Sequence, residues 1–139
     1  MSNAQPQWQD VEVPLGAFIG WGEKGQTIVG RVLSFSVEGG TDFNGNKCPQ
    51  IVLELTSDAT NYKDKGTTKE TVASGEMVTI TAGQANLRNN LLAALPSVDD
   101  LISIRYDDDY KTANGTGKSF KVQIARGHFA SAGADVDAF

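Results

Sequence analysis

Apolar and polar residues alternate along most of this chain, and alternation at period two predicts strands with one face in a core. The longest such region, residues 26–56, reads as one β-hairpin. Its arms, residues 27–36 and 49–56, are rich in β-branched and aromatic residues, which suit a pleated, half-buried surface. In the second arm Ile51, Leu53 and Leu55 share one face, and Val52, Glu54 and Thr56 share the other. Gly30 inside the first arm predicts a bulge or sharp bend. The connection, residues 37–48, holds Gly39-Gly40 and Asn44-Gly45, glycines that permit positive φ. It carries Phe43 and Lys47 on an exposed tip.

Three further stretches alternate in the same way. Residues 76–82 set Val78 and Ile80 against Thr79 and Thr81. Residues 100–106 turn Ile102 and Ile104 inward and Ser103 and Arg105 outward. Residues 119–125 turn Phe120, Val122 and Ile124 inward and Lys121 and Gln123 outward. Between the first two, the period changes. Leu87, Leu91 and Leu95 fall at i, i+4 and i+8, one apolar stripe on a short helix over residues 84–95. Asn86, or Gly83 with Gln84, starts it, and Pro96 stops it. Residues 57–75 are polar throughout and read as a long functional or mobile loop. The apolar lead-in around residues 18–21 is expected to pack on the domain, and residues 130–139 read as a flexible tail.

The order is β-β-β-α-β-β. It predicts an all-β chain of OB-fold type, a five-stranded Greek-key barrel with one short helix between strands three and four. The expected division is an arm over residues 1–17, the OB-fold domain over 18–128 and an acidic tail over 129–139. OB-folds bind ligands on the face of strands two and three and on the loops joining strands one–two and four–five. Here those loops are residues 37–48 and 107–118.

Composition narrows the chemistry. At 139 residues the chain suits one domain with tails. No apolar run approaches the ~20 residues of a membrane helix, and the start lacks the pattern of a signal peptide. Cys48 is the sole cysteine, which rules out an internal disulfide and a cysteine-based zinc cluster and suits a reducing compartment. The net charge is −5, yet residues 24–127 hold all twelve Lys and Arg and twelve of the seventeen Asp and Glu. The body is therefore neutral, and the excess acid comes from Asp10, Glu12, Glu23, Asp135 and Asp137.

Several chemistries fail on spacing. Gly117-Lys118-Ser119 resembles the end of a phosphate-binding loop, but Thr112 stands where that motif needs glycine, and a strand follows. Asp107-Asp108-Asp109 suggests calcium, but Lys111 and Thr112 break the EF-hand spacing. His128 is the only histidine, so no triad or histidine metal set can be built. The expectation is a non-enzyme with no cofactor and no metal.

Binding a flexible nucleic-acid strand needs cations for phosphates and flat side chains for bases. The candidates are Arg31, Phe35, Phe43, Lys47, Tyr62, Lys63, Lys65, Arg105, Tyr106, Tyr110, Lys111, Lys118, Lys121 and Arg126. Cations and rings interleave in each loop: Phe43 with Lys47, Tyr62 with Lys63 and Lys65, Tyr110 with Lys111. The acidic end carrying Asp135, Asp137 and Phe139 resembles the tips of bacterial and phage single-stranded DNA-binding proteins. That resemblance implies a tip that recruits replication and repair partners and competes with DNA. It has fewer acids than the bacterial pattern and no proline before Phe139.

The body resembles a family of small proteins from phages of actinobacteria. The likeness rests on Phe18-Ile19-Gly20-Trp21-Gly22-Glu23, Gly39-Gly40-Thr41-Asp42-Phe43-Asn44-Gly45, Cys48-Pro49-Gln50 and Thr112-Ala113-Asn114-Gly115-Thr116. It implies an OB-like protein of the host bacterial cytoplasm that coats single-stranded DNA in phage replication or recombination. An OB-fold protein–protein adaptor and an RNA-binding module are the rival expectations. Residues 18–21 or a bare strand edge would serve a homo-oligomer.

Overall fold

The computed structural model describes residues 6–9 and 16–130. The tip residues Asp135, Asp137 and Phe139 lie outside them, as do residues 131–139 of the tail expected over 129–139. Among the described residues no helix is long and apolar enough to cross a membrane.

The chain is mostly β. The strands are β1 (Ala17–Phe18), β2 (Thr27–Thr41), β3 (Lys47–Leu55), β4 (Ala59–Lys63), β5 (Thr68–Val72), β6 (Met77–Thr81), β7 (Leu101–Thr112) and β8 (Gly115–Ala125). The α-helix, α1 (Ala85–Ala94), falls between β6 and β7, where the leucine stripe predicts it. Six strands form one sheet in the order β1-β6-β3-β2-β7-β8, and β4 pairs with β5 apart from it.

The expected closed five-stranded barrel does not form. Eight strands are present among the described residues, and the large sheet stays open. The physical reason lies at its two edges. The outer side of β6 is occupied by β1, which pairs parallel through Ala17–Val78 and Phe18–Thr79. At the other edge, α1 covers β8 with two side-chain amides. Asn86 Oδ1 accepts from the Phe120 amide at 2.7 Å, and Asn90 Nδ2 donates to the Phe120 carbonyl at 3.0 Å. Asn86 therefore braces the sheet; the helix starts at Ala85, with Gln84, two residues before Asn86, at the N-cap position.

Other expectations shift as well. The polar stretch 57–75 contains the β4–β5 hairpin, turned by Asp64, Lys65 and Gly66, all at positive φ. The two expected loops are mostly strand. In β2 the strand continues through a register shift between Ser36 and Gly40, and β7 and β8 run to a tight turn closed by Gly115 at φ +131°. The bulge falls at Leu33, between the Val32–Leu53 and Ser34–Val52 pairs, not at Gly30. Gly30 instead lets strands approach closely, since a Cβ there would lie 2.6 Å from the Glu54 carbonyl oxygen.

Ile28, Ile51, Leu53, Val78, Ile80, Ile102 and Ile104 are fully buried, and Leu87 and Leu91 join them from α1. Each such side chain stabilises the fold by roughly 1.5–3 kcal/mol relative to leaving it in water. Val52 and Thr79 are also buried, so β3 and β6 are covered on both faces there. Leu95 leaves the stripe: it caps the helix in left-handed geometry (φ 45°) and is exposed.

Candidate functional site

Residues 18–22 run as a strap over β4, and its glycines let it pass. A Cβ at Gly20 would lie 2.1 Å from the Tyr62 carbonyl oxygen, and one at Gly22 would lie 2.3 Å from the Tyr62 ring. Two buried amides fasten the strap. Asn61 Oδ1 accepts from the Gly20 amide at 2.7 Å, and its Nδ2 donates to the Phe18 carbonyl and to Glu70, each at 3.1 Å. Gln26 Oε1 accepts from the Gly22 amide at 2.9 Å, while its Nε2 donates to the Gly20 carbonyl at 2.8 Å and the Thr60 carbonyl at 2.9 Å. Held this way, Trp21 packs edge-on against Phe120 with ring centroids 5.0 Å apart, and Phe18 stays exposed.

The β2–β3 turn is set as firmly. Asp42 Oδ1 accepts from the amides of Asn44 and Asn46, each at 2.9 Å, and Gly45 takes positive φ. Phe43 stands out from this turn fully exposed.

Between strap and turn lies a groove of about 810 Å³. Gln50 of β3 and Thr81 of β6 line it, with Gly39–Thr41 of β2, Asp42 and Phe43 of the following turn, the β4–β5 turn, and Gly83 and Gln84 before α1. Its charged lining residues are Lys65, Lys118 and Asp42. Among the described residues neither lysine has an ion pair, and two lysines against Asp42 give the lining a net positive charge. Two buried polar atoms on its lining residues have no hydrogen-bond partner: Trp21 Nε1 and Gln84 Oε1. Leaving such a group unpaired costs about 1–3 kcal/mol, and native folds keep few of them.

The sequence candidates divide sharply. Phe43, Tyr62, Lys65 and Lys118 line the groove, Lys118 also lying over the Tyr106 ring at 5.5 Å. Lys47, Lys111 and Lys121 are exposed, outside the groove, with no ion pair among the described residues. Tyr110 lies on the β7–β8 arm across Gly117, where a Cβ would meet its ring at 2.5 Å. Phe35 packs on the core, and Tyr62 and Tyr106 are buried, so none of these three is open to stack on a base. Arg31 is held by Asp99 at 2.6 Å and lies over Phe129, Lys63 by Glu70 at 2.8 Å, Arg105 by Asp107 at 3.6 Å, and Arg126 by Asp100 at 3.7 Å and the carbonyls ending α1.

The tyrosines show what burial does to them. Tyr62 donates to Glu23 at 2.6 Å, and this bond, with burial, raises its pKa while lowering that of Glu23. Tyr106 is pushed up to about 12, chiefly by burial and then by its hydrogen bond to Asp109. Glu70 is held low, first by Lys63 and then by Asn61.

Sequence reasoning named Gln84 only as part of a possible helix start, and it read the buried Asn61 as loop and Gln26 as the first residue of the hairpin. An isolated amide carries no periodic signal, though the Gly-Trp-Gly of the strap marks a close backbone approach. Among the described residues, no group of His, Cys, Asp and Glu could hold a metal ion. Compared with known proteins, the chain matches no family model, no curated protein and no solved structure.

Proposed function

We propose that the protein binds single-stranded DNA without reading its sequence, and that the groove is where it does so. The observation that carries this reading is the joint placement of an exposed ring, Phe43, and two unpaired lysines, Lys65 and Lys118, around one open groove. A strand needs that combination of stacking surface and phosphate contacts. Phe18, exposed on the strap, adds a second ring.

The strand pairing supports an opened version of the OB plan. Strands β2, β3, β6, β7 and β8 stand for its five strands, with α1 between the third and fourth. On that plan the groove lies on the second and third strands and the first inter-strand loop, where OB proteins bind. Coating of DNA in phage replication or recombination, in the host bacterial cytoplasm, follows from the resemblance of residues 18–127. In the same reading, Asp135, Asp137 and Phe139 recruit protein partners.

A protein–protein adaptor is the second reading. It is favoured by six ion pairs among the described residues, which engage half of the twelve Lys and Arg. Titration of labelled oligo-dT, with duplex and RNA competitors, separates the two. The DNA reading expects salt-sensitive binding that duplex competes for poorly. Phe43→Ala should weaken it by one stacking contact, about 1–3 kcal/mol, with no change in stability. Absence of salt-sensitive oligo-dT binding overturns the reading, and RNA competing better than DNA reassigns the ligand.

A further inference from the structure

We propose that the floor of the groove bonds the Watson–Crick edge of one unpaired base through the Gln50 side-chain amide and the Thr81 hydroxyl. This rests on the nucleic-acid reading above and adds to it the contact that tells an unpaired base from a paired one. Gln50 of β3 and Thr81 of β6 are direct partners across the sheet, so their side chains stand side by side on one face. Ile51 and Ile80, next to them in sequence, turn into the core on the other face. Both side chains are half-buried and line the groove, and among the described residues neither makes a hydrogen bond. Their polar atoms are not shut away from solvent, unlike Trp21 Nε1 and Gln84 Oε1. The Gly39-Gly40 pair keeps the floor uncovered. A Cβ at Gly40 would lie 2.7 Å from Thr81 Cγ2, and one at Gly39 would lie 3.3 Å from Gln50 Cβ. Neither glycine takes positive φ, so clearance is what calls for them.

The chemistry of the two side chains suits every base. A primary amide presents a donor and an acceptor side by side, and a half-turn about its last side-chain bond exchanges them. Each nucleobase has a matching pair: thymine O4 with N3–H, guanine O6 with N1–H, cytosine N4–H with N3, adenine N6–H with N1. A hydroxyl donates or accepts. Thr81 therefore donates to O2 of thymine or cytosine and accepts from N2–H of guanine, while adenine offers it only C2–H. Gln50 is thus indifferent to sequence, and adenine alone forgoes the third bond. In a duplex the whole edge is already occupied. Phe18 on the strap and Phe43 on the turn are exposed rings lining the same groove, available to the face of the base.

The test compares ligands on the whole chain: oligo-dT, the same oligomer with N3-methylthymine, oligo-dA, and an oligomer with abasic sites. Wild-type protein should bind the methylated oligomer about fivefold more weakly than oligo-dT, the effect of about one hydrogen bond. Gln50→Ala should weaken oligo-dT and oligo-dA alike, by about thirtyfold for two bonds, and leave abasic binding unchanged. Thr81→Val should weaken oligo-dT by about fivefold and leave oligo-dA unchanged. Equal affinity of wild type for methylated and unmethylated oligomers overturns the edge contact and needs no variant to fold. Equal losses for Thr81→Val on oligo-dT and oligo-dA, or for Gln50→Ala on oligo-dT and abasic ligands, overturn it too, since they mark a structural role. Failure of wild type to bind oligo-dT at all instead removes the groove reading beneath it.

Discussion

Asn61 is where a single side chain decides whether the groove keeps its wall. It is 1 % exposed and makes three hydrogen bonds, two to the strap backbone and one to Glu70. In Asn61→Ala the Gly20 amide and the Phe18 carbonyl lose their partners; Glu70 keeps Lys63. Two orphaned backbone groups at about 1–3 kcal/mol each give a loss of roughly 2–6 kcal/mol, an upper bound because a lifted strap lets water in. With a urea slope of about 2 kcal/mol per molar, the midpoint should fall by about 1–3 M. Trp21 reports on the strap directly. In a Trp8→Phe background, which removes the exposed second indole, its emission should shift red and oligo-dT affinity should drop. An unchanged midpoint together with unchanged Trp21 emission would refute the claim that this amide ties the strap down.

Leu91→Ala should cost about 2–5 kcal/mol, because Leu91 is fully buried and its loss leaves a cavity; thermal and urea melts measure it. Stability should decline as pH rises from 10 to about 12, since unfolded Tyr106 gives up its proton near 10.0 while the folded residue holds it to about 12. Urea midpoints across that range should fall, and Tyr106→Phe should flatten the slope, leaving what Tyr62 contributes in the same direction. For a single strand gripped by Lys65 and Lys118, the logarithm of affinity should fall with the logarithm of salt at a slope of about −1.4, and Lys118→Ala should remove about 0.7 of it. A slope unaffected by either lysine would detach them from the phosphates.

The core was legible from alternation because burial of one strand face leaves a period-two trace. Ile51, Leu53, Leu55, Val78, Ile80, Ile102 and Ile104 all follow it, and the leucine stripe placed α1 between the right strands. The β4–β5 hairpin escaped notice because its strands expose Lys63, Thr68 and Lys69, and the buried Asn61 and Tyr62 are polar and adjacent, which leaves no apolar alternation. The open sheet escaped it for a different reason. Closure is decided by what competes for the edges, and a two-residue β1 and two asparagines on a helix leave no mark in a hydropathy pattern. In the groove, Phe43, Lys65 and Lys118 could be picked out as a ring and cations in polar loops. Tyr62 and Lys63 looked identical to them in sequence, yet Glu23 and Glu70, distant or across a hairpin, had already claimed them.

The amides of Asn86 and Asn90 stand where a neighbouring strand would bond to Phe120. Another copy of the chain cannot add itself there without prising away α1, and α1 cannot leave without taking Leu87 and Leu91 into water. Runaway edge-to-edge stacking at that point is thus opposed by the same hydrophobic energy that holds the protein folded, a safeguard against fibrous self-association built from two short polar side chains.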